Sequence, residues 1–426
     1  MKKTPNMELL DIEYEKYKLA NGLEVILHKN NNSSLSAVNL WYKVGSANDS
    51  KGKTGIAHLF EHMMFQGSQN VPKEKHFRYI QEAGGTLNGS TSFDRTNYYE
   101  KLPSNFLEMA LWLEADRMGY FLPALDQEKL NNQKDVVKNE RLERYDNQPY
   151  GLAWELLITN LYSKDHPYNW PTIGFLNDIT GYTLEDVSGF FKKFYTPNNS
   201  SLVVAGDIDL DKTKDLIEKY FAPIKPGAEV EELSCKTNPL KENILVTHKD
   251  KIQLERLYLS WHSDKLYGED DAALDILSDI LSGSKNSRLH KLLVFDKEYA
   301  QDVTTFQFSG KYAGQYIVII TAKPGITLDK LKAEVMHEIE KLISDGIKHR
   351  EMEKAKNSIK SSFIFSLQNL DLLADQLNTY NFHLNEPNSF NYDLNRYNIV
   401  DEIKIINAAE KYLTKPNLEV RIVPEK

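Results

Sequence analysis

The short segment His58-Leu59-Phe60-Glu61-His62 holds three side chains whose types and spacing could do hydrolytic chemistry. On a helix, His58 and His62 lie one turn apart on one face, and Glu61 lies on the same side. Two neutral imidazoles arranged in this way can hold one zinc ion at about 2.0–2.1 Å. The carboxylate between them can take a proton from a water that the metal has acidified towards a pKa of about 7. The spacing therefore predicts a catalytic metal site.

The residues around this motif decide whether its polar side chains are only a solvated helix face. The flanking positions are apolar on almost every side and predict that the helix is buried. They are Ile56, Ala57, Leu59, Phe60, Met63, Met64 and Phe65. Burial of three ionisable groups is costly without compensation, and a bound metal supplies it. Because H-x-x-E-H is also a zinc-peptidase signature, we interpret the segment as a zinc site.

A catalytic zinc ion usually has three protein ligands, so the motif lacks one. The helix predicted over residues 127–145 carries four acidic candidates. These are Glu128, Asp135, Glu140 and Glu143. Spacing alone does not decide between Glu140 and Glu143, because residues three apart share a helix face. Taken singly, each acid is explained more simply as part of a solvated helix face.

The elements around the motif predict an α+β fold built from two similar halves. In the first half, the patterns predict strands at 23–27, 37–44, 86–99 and 201–206, and helices at 56–65, 106–117 and 127–145. In the second half, they predict strands at 256–261 and 315–321, and helices at 270–281, 287–293, 328–343 and 351–382. Prolines, a glycine and charges cluster between them, as is typical of a linker. We predict a domain over 1–224, a linker over 225–244 and a homologous domain over 245–426, each a mixed sheet flanked by helices.

The bulk composition limits the class of protein. With 426 residues, 41% of them hydrophobic, the chain should form more than one core. The net charge of −9 argues against a nucleic-acid partner. The sequence contains no run of about 18 apolar residues, so it predicts no membrane-spanning helix. The single cysteine, Cys235, excludes an intrachain disulfide and a cysteine-rich metal site. The N-terminus lacks the apolar core of a signal peptide, so we expect a cytoplasmic protein, or a periplasmic or exported one if a leader has been removed.

Several segments of the chain together resemble the pitrilysin-like metallopeptidases, also called inverzincins. The resemblance extends over nearly the whole chain and is strongest to the branch that includes mitochondrial processing peptidase and its bacterial relatives. The matching segments are 55–63 (GIAHLFEHM), 84–98 with its Gly-Gly pair and Asn, Ser, Thr and Tyr residues, 136–141 (VVKNER), 147–151 (NQPYG) and 203–207 (VVAGD).

The resemblance implies specific roles for the residues of the motif. It implies that His58, His62 and Glu140 are zinc ligands and that Glu61 is the general base. It also implies that the strand at residues 88–93 is a sheet edge to which an extended substrate peptide adds as another strand. The substrate-binding residues of that strand would be Asn88, Gly89, Ser90 and Thr91. Without the family, this strand is equally well explained as a structural edge.

The sequence departs from the family pattern in two places. Family members carry an auxiliary glutamate one to two turns before the third ligand, and Gln133 stands seven residues before Glu140. Active relatives also carry, in the C-terminal half, an Arg and a Tyr that bind substrate and stabilise the oxyanion. The corresponding positions here are Val294 and Gln301, with Tyr299 nearby. Because some bacterial members divide these functions between two subunits, we expect a heterodimer with a zinc-free homologue that carries the pair; a homodimer is the alternative.

Three functions compete on this reading of the sequence. The first is a zinc endopeptidase that hydrolyses unstructured peptides inside an enclosed chamber, as the catalytic subunit of such a pair. The second is a non-catalytic assembly subunit of the same family, although such subunits generally lose the metal motif that this chain retains. The third is a peptide-binding protein with a structural zinc site. Zinc content and the effect of Glu61→Gln on hydrolysis distinguish the three.

Overall fold

The computed structural model describes residues 10–425 and contains two β-sheets flanked by helices. The first sheet is formed by β1 (Glu15–Lys18), β2 (Glu24–Lys29), β3 (Leu35–Tyr42), β4 (Thr86–Thr91), β5 (Thr96–Pro103) and β6 (Ser200–Gly206). The second is formed by β7 (Ile244–Asp250), β8 (Arg256–Ser263), β9 (Ala300–Ser309), β10 (Gly314–Ala322) and β11 (Leu418–Pro424). The predicted α+β class is therefore confirmed.

The helices divide between the two halves of the sequence. The first half contains α1 (Ile56–Met63), α2 (Lys75–Glu82), α3 (Leu107–Tyr120), α4 (Gln127–Arg141), α5 (Ala153–Leu161), α6 (Leu176–Gly181), α7 (Leu184–Phe194) and α8 (Leu210–Phe221). The second half contains α9 (Asp271–Ser282), α10 (Arg288–His290), α11 (Leu328–Asp345), α12 (His349–Ser366), α13 (Leu370–Leu384), α14 (Phe390–Asn398) and α15 (Glu402–Leu413). No helix within residues 10–425 is long and apolar enough to cross a membrane.

The two sheets repeat one strand topology. The order of the first is β1-β2-β6-β3-β5-β4, and the order of the second is β7-β11-β8-β10-β9. In each, one parallel pair (β2 with β6, β7 with β11) is followed by three antiparallel pairings. Strand β6 is buried along its whole length, as its apolar sequence predicts, whereas the polar strand β4 lies at the edge. The predicted recurrence of element order is thus present in the sheets.

The chain forms two compact units, and each is assembled from three stretches of sequence. The first comprises the residues up to Asn139, Pro171–Leu233 and Ile364–Asp393; the second comprises Glu140–Trp170, Ser234–Phe363 and the residues from Leu394 onward. Helix α13, late in the sequence, packs on β3 and β6 of the first sheet, and α5 packs on β8 and β11 of the second. The boundaries predicted along the sequence stay a prediction, since these units are defined by contacts.

Two predicted elements are each divided in the structure. The strand predicted over 86–99 is the hairpin of β4 and β5, because the Ser92 hydroxyl accepts the N–H groups of Asp94 and Arg95 and turns the chain. The helix predicted over 351–382 ends at Ser366, and α13 begins anew after Asn369, whose side chain accepts the N–H of Asp371. This break frees α13 to pack on the first sheet.

Candidate metal centre

The start of α1 is fixed by residues outside the motif. Gly55, before the helix, has φ +85°, and a Cβ atom there would lie 2.5 Å from the carbonyl oxygen of Ile173. The buried carboxylate of Asp49 accepts the N–H groups of Gly55 at 2.7 Å and Ala57 at 3.2 Å, and so caps the helix. Burial raises the pKa of Asp49 well above its usual range, although these two donors oppose the shift. These contacts fix the residue at which α1 begins, and so they fix the positions of His58, Glu61 and His62 along the helix.

The structure brings together His58, His62 and Glu140. One ligand atom from each of the three lies within 4.8 Å of the others, and all three side chains are half-buried. The two imidazole rings are 4.8 Å apart between centroids, at an angle of 73°. Glu140 also forms a 2.8 Å ion pair with the exposed Arg144.

The chemistry of this group fits a zinc ion. Two imidazole nitrogens and one carboxylate oxygen form a donor set that catalytic zinc sites use, and it leaves a fourth position for water or substrate. Within residues 10–425, only one other group of three metal-type side chains converges, and Glu128, Asp135 and Glu143 belong to neither. The geometry therefore favours Glu140 over Glu143, the alternative that sequence spacing left open.

Glu61, on the same helix, contacts the edge strand. The hydroxyl of Thr91 on β4 donates a hydrogen bond of 2.5 Å to Oε2 of Glu61. A Cβ atom built on Gly89 would lie 3.2 Å from Cγ and Oε1 of Glu61 and from the ring of Phe65. Because side chains alternate along a strand, Gly89 and Thr91 both face α1. The carboxylate expected to act as base is therefore held directly against β4.

The other two residues of the predicted substrate strand face the opposite side. Ser90 donates from Oγ to Asn97 on β5 at 2.7 Å, and Arg95 donates to the Ser90 carbonyl at 2.9 Å. The side-chain oxygen of Asn88 accepts the Gly89 N–H at 2.9 Å. Since Ser92 and Arg95 form a hydrogen-bonded pair, ladder alternation directs the N–H and C=O groups of Leu87, Gly89 and Thr91 to the open edge. The four predicted substrate-binding residues are therefore adjacent, but Gly89 and Thr91 contact Glu61, whereas Ser90 contacts Asn97 and Arg95.

The three residues that depart from the family pattern, Gln133, Val294 and Gln301, lie on α4, in a π-helical turn and on β9. Gln133 lies on α4 with 5% of its surface exposed, and its amide donates to the side chain of Asn132. Val294 lies in a π-helical turn, Lys291–Asp296, and packs against the core of the second unit, while Gln301 is exposed on β9. None of these three side chains is the carboxylate, guanidinium or phenol that the family resemblance leads one to expect at its position.

A second buried cluster consists of His76, Glu100, Glu114 and Arg117. Arg117 donates from Nε to Glu114 at 2.8 Å and lies 3.4 Å from Glu100, and His76 contacts Glu100 at 3.3 Å. The guanidinium stacks on the ring of Tyr98, 4.1 Å from its centroid. Tyr98 is the partner of Gly89 in the β4–β5 register. Its members come from α2, β5 and α3, and no sequence pattern signals their convergence.

Comparisons with known proteins agree with this site. Residues 24–171 match the family described as insulinase (peptidase family M16), and residues 181–359 match the peptidase M16 inactive domain. The chain is 32% identical to the zinc protease PqqE of Helicobacter pylori over 376 residues, covering 86% of this chain and 83% of the relative. It is 24% identical to the probable mitochondrial-processing peptidase subunit beta of Arabidopsis thaliana, over 95% of this chain and 77% of that one.

Solved structures show the same architecture. The crystal structure of a protease from Helicobacter pylori superposes with a TM-score of 0.90 at 29% identity, covering 97% of this chain and 100% of that one. A peptidase M16 inactive domain from Pseudomonas fluorescens superposes at 0.85 with 19% identity, covering 97% and 98%, which shows the fold alone. The chain belongs to peptidase family M16, the pitrilysin-like family that the sequence resembles. Two relatives, from Helicobacter pylori and Bacillus subtilis, are named as zinc proteases.

Proposed function

We propose that this chain is a zinc endopeptidase that hydrolyses unstructured peptides in an enclosed chamber. His58, His62 and Glu140 would hold the zinc ion and Glu61 would be the general base. The observation that carries the proposal is the hydrogen bond from Thr91 to Glu61, because it joins the proposed base to an open sheet edge.

The residues of the chain have separate tasks in this reaction. When bound, zinc acts as a Lewis acid that polarises the scissile carbonyl and makes water a better nucleophile. Glu61 accepts the proton of the attacking water and delivers it to the leaving nitrogen. Thr91 holds Oε2 of that carboxylate, which limits its rotation. Exposed backbone groups of Leu87, Gly89 and Thr91 would pair with an extended substrate, after Asn88 releases the Gly89 N–H.

The substrate class follows from the proposed mode of binding. Adding a strand to β4 requires a segment with unpaired backbone groups, which folded proteins rarely expose. Pairing through the main chain accepts many sequences. We therefore expect activity towards flexible peptides and none towards their folded parent proteins.

A zinc-free homologous partner completes the proposal. Val294 and Gln301 occupy the positions where active relatives have the Arg and Tyr, so the oxyanion donors would come from another chain. A homodimer would lack those donors. Gln133 in place of the auxiliary glutamate would lower or tune the rate of the chain on its own.

One experiment tests the function and its alternatives. The purified chain is loaded with zinc and incubated with a panel of unstructured peptides, with and without a zinc-free homologue that carries the Arg and Tyr. We expect about one zinc per chain, cleavage that the partner increases, and loss of cleavage in Glu61→Gln with zinc retained. Zinc far below one per chain would indicate a non-catalytic assembly subunit. Zinc retention with no hydrolysis under either condition would indicate a structural site. Strong cleavage unaffected by the partner would refute the proposal that the zinc site and the oxyanion donors lie on two different chains.

A further inference from the structure

Asp375 lies on α13 and faces the first sheet. Its Oδ1 atom accepts hydrogen bonds from Trp41 Nε1 at 2.9 Å, Asn97 Nδ2 at 2.9 Å and Asn39 Nδ2 at 3.3 Å. The three donor residues are each no more than 3% exposed. Buried donors that lose their acceptor keep the full cost of desolvation. Because the indole N–H can only donate, the group at position 375 has to be an acceptor.

The contact with Asp375 sets the direction of the neighbouring hydrogen bonds. Since Nδ2 of Asn97 is directed to Asp375, its Oδ1 faces β4 and accepts the Ser90 hydroxyl at 2.7 Å. Arg95 donates from Nη1 to the same Ser90 Oγ at 2.6 Å. If the Asn97 amide flipped, Ser90 Oγ would face two donors, Nδ2 of Asn97 and Nη1 of Arg95. The Ser90 hydroxyl proton would then lose Oδ1 of Asn97 as its acceptor. The order Asp375, Asn97, Ser90, Arg95 is therefore a chain with one consistent polarity.

Ser90 connects this chain to the proposed catalytic machinery. It stands in β4 between Gly89, which lies against Glu61, and Thr91, which holds the Glu61 carboxylate. Fixing Ser90 from the α13 side therefore fixes the height and register of its two neighbours on the α1 side. Arg95 strengthens the arrangement by stacking over the ring of Trp41, 5.3 Å from its centroid. The edge strand is thus held by hydrogen bonds on both faces.

We propose that Asp375 is a positioning residue for substrate binding, which holds β4 in the register that receives an extended peptide. The inference rests on the proposed peptidase function. It assigns to a helix from the C-terminal half of the sequence a role in the site of the N-terminal half. Asp375 touches neither substrate nor metal and acts through Asn97 and Ser90.

A second contact of the same helix supplies a matched control. Asp371, one turn before Asp375, accepts from Lys101 on β5 at 2.6 Å. This ion pair also joins α13 to β5, but it lies at the other end of the hairpin and is half-exposed. Asp371→Ala therefore weakens the packing of the helix without interrupting the chain to Ser90. Asp375→Asn is the conservative variant, because its amide oxygen can still accept the three donors.

The experiment compares Asp375→Ala, Asp375→Asn and Asp371→Ala in the zinc-loaded full chain. Hydrogen exchange of residues 86–97 is followed by mass spectrometry, and zinc content is measured for each variant. Affinity for a fluorescein-labelled unstructured peptide, one that the wild-type chain cleaves, is measured in the Glu61→Gln background. We expect Asp375→Ala to accelerate exchange in 86–91 and weaken binding about tenfold, the size of roughly one strand hydrogen bond. We expect Asp375→Asn to stay within about threefold and Asp371→Ala to match the parent.

The kinetic signature separates positioning from general damage. Asp375→Ala should raise KM about tenfold with zinc unchanged, and it should lower kcat by less than the tenfold expected of Thr91→Val, because Thr91 itself is retained. If Asp375→Ala does not fold, Ser90→Ala interrupts the same chain and should give the same faster exchange. Equal effects of Asp371→Ala and Asp375→Ala, or unchanged exchange and affinity in Asp375→Ala, would overturn the proposal. Failure of the wild-type chain to cleave any peptide, both alone and with a zinc-free homologous partner, would refute the proposed function, while the exchange result would still test Asp375.

Discussion

Replacing Glu100 by glutamine should leave the protein about as stable as before, whereas replacing Glu114 by glutamine should destabilise it strongly. Both carboxyl groups are fully buried and both lie within reach of the same buried cation, Arg117. One cation can balance only one carboxylate at this depth. The two glutamates must therefore differ in protonation, and isosteric amides distinguish them.

The contacts of the two glutamates differ, and they indicate that Glu100 is the one that holds a proton. Glu114 receives two hydrogen bonds from the guanidinium of Arg117, through Nε and Nη2. Glu100 has one oxygen near His76 and Arg117, and within residues 10–425 its other oxygen has no hydrogen-bond partner. Burial, together with the neighbouring Glu114 carboxylate, raises the pKa of Glu100 well above its usual range. Burial and Arg117 lower the pKa of His76, so His76 stays neutral and the cluster has no net charge.

The expected magnitudes follow from this assignment. Glu100→Gln exchanges one neutral group for another of the same shape, and the free energy of unfolding should change by less than about 1 kcal/mol at acidic pH. Glu114→Gln leaves Arg117 without its bidentate partner, and breaking a buried pair costs about 3–5 kcal/mol. We expect a value near the lower end, because Glu100 can release its proton and take over the pairing at 3.4 Å.

The effect of pH has a definite sign. The raised pKa of Glu100 means that its contribution to stability is complete below the unfolded value of about 4.3 and is lost as pH rises towards the folded value. The loss is at most about 1.4 kcal/mol per pH unit. Glu100→Gln removes this dependence. The variant should therefore gain stability relative to the wild type as pH increases from about 5 to 8. The lowered pKa of His76 destabilises both proteins equally below about pH 6.5.

Urea denaturation followed by circular dichroism, at several pH values in this range, provides the assay. The wild type, Glu100→Gln and Glu114→Gln are compared at equal ionic strength, with the slope of free energy against urea checked for each. If Glu100→Gln were as destabilising as Glu114→Gln at every pH, Glu100 would be ionised in the folded protein and the charge assignment would be wrong.

Three further predictions concern the proposed centre. Thr91→Val should lower kcat about tenfold with zinc content unchanged, and Thr91→Ser should keep most of the activity; steady-state kinetics on one peptide substrate would show this, and equal loss in both would point to packing alone. Gly89→Ala should lower kcat severalfold, because its Cβ would displace Glu61 at 3.2 Å; an unaffected rate would show that the strand can move away. Glu140→Gln should reduce zinc affinity about a hundredfold or more in a chelator competition, whereas Arg144→Ala, which removes only the exposed partner of Glu140, should not.

The parts of the site that lie close together in sequence could be predicted, and the parts that depend on sheet register could not. His58, Glu61 and His62 share one helix, so their spacing alone places them on one face. The choice between Glu140 and Glu143 required the position of α4 relative to α1. The spacing of residues along the sequence carries no information about that position. The hydrogen bond from Thr91 to Glu61 depends on the pairing of β4 with β5.

The fold shows the same limit. Alternating and apolar patterns indicated the strands and most helices, because burial imposes those periods locally. The pattern over 351–382 continues through the break at Gln368 and Asn369, so it gave no sign that α13 turns onto the first sheet. For this reason the sequence did not predict that Asp375 contacts Asn97. Contacts between residues far apart in sequence require the assembled sheet before they can be seen.

The two faces of β4 together indicate how the proposed site would choose substrates. Gly89 and Thr91 are occupied by contact with Glu61, and Ser90 is occupied by Asn97 and Arg95. No side chain among these three is available to contact a substrate residue without giving up a partner. What the strand presents at its open edge is backbone, and backbone pairing does not distinguish one amino acid from another. Sequence preference in this protein should therefore come from residues other than these three, and mutations of Gly89, Ser90 and Thr91 should change rate and affinity for all peptides alike.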